Sequence, residues 1–293
     1  MVSSTRVGLA QEVSSSRHTA WTETLMEFRI LGPVEVWRDG QEIVLDGAKQ
    51  RTVLAALLLA RGCMLSDSQL CSLLWGENPP ATFNAQLYTY ASRLRRHLGD
   101  EVSIVRKRPG YFIRIGPGRL DSEEFDRLAA LGREALAGKR YEEAAVHLRQ
   151  ALALWRGPAL ANVTQSLADS DARRLEEARM AVLEKRVEAD LALGRHRHLV
   201  AELTGLVAEH PLHERLRAQL MVALHRCDRQ ADALAVYQNG RQVLIDELGV
   251  YPGQVLTDTY QAILLANPDR GPARFEVANH ERSSGYQTAR AMS

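Results

Sequence analysis

Cations and turn-forming residues crowd one stretch of this chain. Between Asn84 and Arg114 there are seven Lys and Arg side chains against two Asp and Glu. Three of these cations, Arg106, Lys107 and Arg108, precede Pro109-Gly110, and Arg93, Arg95 and Arg96 lie one short segment upstream. Clustered guanidinium and ammonium groups suit phosphate binding, and an arginine presented rigidly can also pair in bidentate fashion with a guanine edge. Both uses require a scaffold that holds the charges on one surface.

The upstream cations belong to a predicted helix over Ala81 to Leu98. Its apolar side chains Leu87, Tyr90, Ala91, Leu94 and Leu98 recur at helical spacing on one stripe, which leaves Gln86, Thr89, Arg93 and Arg96 on the opposite stripe. After Gly99-Asp100, two apolar runs, Val102 to Val105 and Tyr111 to Ile115, flank the basic turn as a hairpin. Pro109-Gly110 is expected at the centre of a type II turn.

Upstream, Phe28, Ile30, Val34 and Val36 alternate, Asp39-Gly40 turns the chain, and Ile43 and Leu45 resume the alternation, so a small antiparallel sheet precedes the helices. Lys49 to Ala60 forms an apolar helix, and a short strand at Met64-Leu65 follows. Ser66 and Gln69 have the spacing of a capping box at the next helix start. That helix carries Leu70, Leu73, Leu74 and Trp75, and Glu77-Asn78-Pro79-Pro80 connects it to the Arg-bearing helix. A sheet, three helices and a hairpin in this order describe a winged helix-turn-helix domain, whose third helix fits a DNA major groove. Gln86, Thr89 and Arg93 are then candidate base readers. Ser92, Arg95, Arg96, Arg106, Lys107 and Arg108, with Lys49 and Arg51 from the first helix, are candidates for phosphate contact.

Strand signals stop near Gly116-Pro117-Gly118. A capping box at Asp121 to Glu124 opens the first of seven helices, which extend to Leu265. Gly194 and Asp228 lie 34 residues apart, with Val200 and Leu234, Ala201 and Ala235, and Leu203 and Tyr237 at the same offset; this is the tetratricopeptide period. Gly138 to Ala144 carries the Gly-x-x-Tyr-x-x-Ala pattern of that repeat, with Gly157 to Asp171 inserted before Gly194. The fold class is therefore an α+β winged helix-turn-helix domain followed by an all-α tetratricopeptide-like domain. Its organisation is a disordered leader over 1–25, a DNA-binding domain over 26–116, a helical domain over 117–268 and a disordered tail over 269–293. Met26 is an alternative start.

The 293 residues, 45% apolar and 25% charged, suit two globular domains, and no apolar run is long enough to span a bilayer. A net charge of +1 hides an asymmetry: 12 Lys and Arg against 9 Asp and Glu over 26–116, but 20 against 23 over 117–270. Cys63, Cys71 and Cys227 are odd in number and form no CxxC pair, which points to a reducing cytoplasm and neither a zinc site nor a disulfide framework. No enzyme is indicated. Gly132 to Lys139 lacks P-loop glycine spacing, and Arg140 stands where Ser or Thr is needed. His196 and His198, and His210 and His213, have no Cys or carboxylate at ligand spacing. There is no Gly-x-Ser-x-Gly elbow. No cofactor is expected.

Several segments, in order, resemble the Streptomyces antibiotic regulatory protein family of transcriptional activators. They are Phe28 to Val36, Lys49-Gln50-Arg51, Leu74-Trp75-Gly76 with Pro79-Pro80, Ser92 to Arg96, Arg108 to Tyr111, Asp121 to Phe125 and Glu247 to Pro252. The resemblance implies an OmpR-type winged helix joined to a bacterial transcriptional activation domain. It also implies binding to direct repeats near promoters of a secondary-metabolite cluster, as a homodimer on DNA, with Tyr88 joining the base-contact set and Tyr111 the wing. By the same analogy Trp75, Gly76, Glu77, Asn78, Pro79 and Pro80 contact RNA polymerase or its sigma factor. Gln86 and Tyr88 differ from the family's usual residues, so no base preference carries over. An adaptor whose helical repeats and winged helix both bind protein is the alternative.

Overall fold

The computed structural model describes residues 26–266; the leader over 1–25 and the tail over 269–293 lie outside the described residues. These residues form two compact units. The first holds the chain up to Ile30, Val34–Asp121 and Asn162–Leu167, and the second holds Leu31–Pro33, Ser122–Ala161 and the chain from Ala168.

The first unit is built around α1 (Gly47–Leu59), whose Val53, Leu54, Ala55, Ala56, Leu57 and Leu58 are all buried. A helix apolar on every side must be covered on every side. Strands β1 (Met26–Arg29), β2 (Glu35–Arg38) and β3 (Gln41–Glu42) form the expected antiparallel sheet, with Phe28 opposite Val36. Asp39 and Gly40 both adopt positive φ, at 49° and 76°, as a two-residue hairpin turn requires. The third strand is shorter than its alternation predicts, and Val44 is exposed. A second sheet has the order β4-β6-β5, from β4 (Leu65–Ser66), β5 (Ser103–Lys107) and β6 (Gly110–Arg114).

Two parts of this unit go beyond the sequence reading. Strand β7 (Arg119–Leu120) pairs in parallel with β1, so strand structure continues past Gly116. The segment Asn162–Leu167 also joins the unit, although it lies 41 residues beyond Asp121. Asn162 accepts the Val34 amide proton at 2.8 Å, Thr164 donates its amide proton to Thr52 Oγ1 at 2.9 Å, and Thr164 Oγ1 donates to the Leu73 carbonyl at 2.6 Å. Asp121, at the start of α4 (Asp121–Ala137), receives the Ile30 amide proton on its buried carboxylate at 2.9 Å.

The second unit continues from α4 with α5 (Tyr141–Leu152). After α6 (Gln165–Leu167), which belongs to the first unit, come a π-helical turn at Ala168–Ala172 and α7 (Arg173–Ala192). It ends with α8 (His196–Glu209), α9 (Glu214–His225), α10 (Gln230–Leu248) and α11 (Gln254–Leu265). One turn geometry recurs between α4 and α5, α7 and α8, and α9 and α10. Lys139, Gly194 and Asp228 adopt φ of 57°, 77° and 59°. The next residue is an arginine each time, and its amide donates across the turn, from Arg140 to Ala135, Arg195 to Asp190 and Arg229 to Leu224, at 2.8 to 3.0 Å. These are the crossed bonds of a left-handed helix cap. The repeat is thus real in backbone geometry, but its first register differs from the sequence alignment. Lys139 is the left-handed residue, and Gly138 precedes it without a positive φ. Helix α9, buried from Leu216 to Leu224, carries the core of the last two pairs with Leu199, Leu203, Leu256 and Ile263.

Candidate nucleic-acid interface

Helix α3 (Phe83–Leu98) has the amphipathic division its sequence predicts. Leu87, Ala91, Leu94 and Leu98 are buried, and Tyr90 is half-buried. Tyr88, Thr89, Ser92, Arg93 and Arg96 are exposed, Tyr88 to 64%. The helix contains no Asp or Glu, and its last turn carries Arg95, Arg96 and His97, where cations favour the negative end of the helix dipole. Its C-terminus is held by Arg38 of β2, whose guanidinium donates to the Leu98 carbonyl.

The hairpin β5–β6 is fixed to the helix-turn-helix by several independent contacts. Leu65 pairs with Tyr111 and Ser66 with Gly110, and the Asp67 amide donates to the Pro109 carbonyl at 2.8 Å. The pairing of Lys107 with Gly110 places Arg108 and Pro109, joined by a cis peptide bond, at the centre of the turn. This corrects the expected Pro109-Gly110 centre. Gly110 serves a different purpose, because a Cβ at that position would lie 1.8 Å from the Leu65 carbonyl oxygen. At the start of α2 (Asp67–Trp75), Ser66 and Gln69 form the expected capping box, with the Ser66 amide 2.9 Å from Gln69 Oε1.

The cations divide into two groups. Arg93, Arg96, Lys107 and Arg108 are exposed and have no ionic partner among the described residues. The others are engaged. Arg106 makes a bidentate pair with Asp67 and lies 4.6 Å over the Tyr111 ring. The hydrogen bonds it donates to Asp67 raise the Arg106 pKa and keep it charged. Arg95 donates through Nε to the Ile104 carbonyl at 2.8 Å, which ties α3 to β5. Arg51 donates to the Asn162 and Leu45 carbonyls at 2.9 and 3.0 Å, and Lys49 lies 4.8 Å over the Trp75 ring. Tyr111 is only 3% exposed, so it supports the wing from beneath and offers no surface; burial also pushes its phenol pKa up.

Gln86 is half-buried, and its side-chain amide donates to Thr82 Oγ1 at 3.1 Å. Thr89 donates its hydroxyl to the Ala85 carbonyl at 2.9 Å, which leaves the oxygen able to accept. In the α2–α3 connection Trp75 and Gly76 are half-buried, Glu77, Asn78 and Pro79 are exposed, and Pro80 is half-buried. A Cβ at Gly76 would lie 3.2 Å from Ser166 Oγ, so the segment 162–167 underlies this loop. Arg38, Asp67 and Thr164 enter the site only through partners distant in sequence: Leu98, Arg106 and Leu73. Asp67 was legible only as part of a capping box, and its pairing with Arg106 spans 39 residues.

Of the histidines set aside in the sequence, His213 has a structural role. His213 caps α9 and lies 3.1 Å from Glu184, and His196 has a pKa lowered by burial. No helix among the described residues is long and apolar enough to cross a membrane.

Comparison with known proteins identifies both units. Residues 40–113 match the model of the C-terminal domain of transcriptional regulatory proteins, and residues 120–264 match that of the bacterial transcriptional activator domain. The chain is 38% identical to the regulatory protein DnrI of Streptomyces peucetius, over 83% of this chain and 93% of that protein. It is 44% identical to the regulatory protein AfsR of Streptomyces coelicolor over 83% of this chain, but it spans only 24% of AfsR. The solved structure of Mycobacterium tuberculosis EmbR in complex with a low affinity phosphopeptide matches with a TM-score of 0.75 and 34% identity, covering 83% of this chain and 65% of that one.

Proposed function

This chain belongs to the Streptomyces antibiotic regulatory protein family of transcriptional regulators, and we propose that it is a sequence-specific DNA-binding activator of a secondary-metabolite gene cluster. In this reading α3 enters the major groove. Arg93 is the principal base reader, with Gln86, Tyr88 and Thr89 beside it, while Ser92, Arg96, Lys107 and Arg108 contact phosphates. Arg95, Arg106 and Tyr111 hold the helix and wing in place, while Lys49 and Arg51 of α1 are engaged with Trp75, Leu45 and Asn162. Two copies bind direct repeats near the promoter, and the exposed turn at Glu77, Asn78 and Pro79, with Trp75, Gly76 and Pro80 at its base, meets RNA polymerase holoenzyme in the bacterial cytoplasm.

The observation that carries this reading is the acid-free exposed face of α3, with uncommitted arginines, in a unit that also holds an uncommitted cationic wing tip. A surface that binds phosphates releases counterions, so its affinity falls steeply with salt; an apolar protein interface has no such dependence. Gel-shift titration of promoter DNA from the neighbourhood of the chain's own gene, against scrambled duplex and over rising salt, tests it. Preferential, salt-sensitive binding is expected. Equal binding to both duplexes, or none at low salt, would leave the protein-binding adaptor as the better account.

A further inference from the structure

The second unit contains a buried charge that no acidic group among the described residues neutralises. Arg217, on α9, is 3% exposed and has no acidic partner among the described residues. Its Nε and Nη2 donate to the Pro211 carbonyl at 3.0 and 2.8 Å, and Nη1 donates to Asn239 Oδ1 at 3.1 Å. Three of the five guanidinium N–H groups are thus committed, all to neutral oxygens. Burial lowers the Arg217 pKa, but an arginine does not lose its proton in a protein, so the charge persists without a counterion. Such a charge is costly unless paired.

Arg217 lies in the wall of a groove of about 510 Å³ between α8, α9 and α10, a size typical of small-molecule sites. Val200, Val207, Leu220, Leu224, Val236 and Val243 make most of the lining apolar. The other charged residues that face the groove are Arg229 and Asp232, which pair with each other at 2.6 Å. The lining therefore carries one net positive charge on a largely apolar wall. Gly240 belongs to the same arrangement, since a Cβ there would lie 2.8 Å from Arg217 Cδ and force the side chain to move.

We infer that this groove binds an apolar carboxylic acid, whose carboxylate pairs with Arg217 and whose hydrocarbon body covers the valine and leucine wall. A bidentate arginine–carboxylate pair uses the remaining donors and neutralises the charge. A neutral apolar molecule would cover the wall but leave the guanidinium unpaired. An inorganic anion would pair but leave the wall wet. The helical half would then sense an organic acid, independently of whether the winged helix binds DNA.

Isothermal titration of the full chain with decanoate, and with decan-1-ol as the carboxylate-free control, tests this inference. Saturable one-to-one decanoate binding is expected, with decan-1-ol at least tenfold weaker. Arg217→Gln should lose decanoate binding at least tenfold while its response to decan-1-ol is unchanged. Ala235→Trp, at an exposed lining position on α10, should block both ligands with the helical circular dichroism intact, and this keeps the test decisive if Arg217→Gln does not fold. No saturable decanoate binding, equal binding of decan-1-ol, or undiminished binding to Arg217→Gln or Ala235→Trp would overturn the proposal.

Discussion

Removing the two free wing cations together, Lys107→Ala with Arg108→Ala, should flatten the salt dependence of DNA binding by a calculable amount. Both side chains are exposed, and neither has an ionic partner among the described residues, so each is available to a phosphate. Each phosphate contact contributes about −0.9 to the slope of log affinity against log salt, so two contribute about −1.8. Between about 50 and 200 mM salt the parent should then lose about 12-fold more affinity than the double variant. The loss should be the same on operator and random duplex, because phosphate contacts carry no sequence information. Arg106 supplies the control. Its charge is already balanced by Asp67, so Arg106→Ala together with Asp67→Ala removes a neutral pair and should leave the slope unchanged. That pair is partly exposed and contributes about 1 kcal/mol or less to stability. Gel shifts or fluorescence anisotropy across the salt series measure all three proteins. A parental slope in the Lys107/Arg108 variant, or a slope flattened as much by losing the Arg106–Asp67 pair, would refute the division into free and committed cations.

Other outcomes follow from the same geometry. Arg93→Ala should cost about 1 to 3 kcal/mol on the operator and little on random duplex, narrowing the ratio between them in competition gel shifts. Gly110→Ala places a Cβ against the Leu65 carbonyl, so the strands must separate; thermal unfolding should show a loss of about 3 kcal/mol, with DNA affinity falling in parallel. Glu77→Ala and Asn78→Ala change exposed turn residues away from α3, and should lower transcription in vitro while operator affinity holds. An equal loss in both assays would mean that the turn is only structural.

The parts of the fold legible in the sequence are those set by local spacing. Leu87, Ala91, Leu94 and Leu98 mark the buried side of α3 because helical periodicity is a property of neighbouring residues. Ser66 and Gln69 announce their capping box for the same reason. What escaped depends on distant partners. Arg119–Leu120 is too short to alternate and becomes a strand only by pairing with Glu27 and Phe28. Asn162 and Thr164 look like an irregular insertion until Val34, Thr52 and Leu73 supply their hydrogen-bond partners. A fragment ending at residue 116 would therefore lack both β7 and the segment 162–167 of its own unit. The dipeptide Pro109-Gly110 fits a type II turn by composition, and only the approach of Leu65 shows why glycine is needed one position later, inside a strand. The sequence could count the cations of the site, but it could not divide them. Arg51, Arg95 and Arg106 resemble Arg93 and Arg96 in type, and only their contacts with Asn162, Ile104 and Asp67 separate support from surface.

DNase footprinting of the purified full chain on the promoters flanking its own gene tests the central claim most directly. The account predicts protected repeats in the same orientation upstream of a promoter, and Arg93→Ala should lose this protection at protein concentrations where the parent saturates it. No protected segment at low salt, or the same footprint from Arg93→Ala, would contradict it.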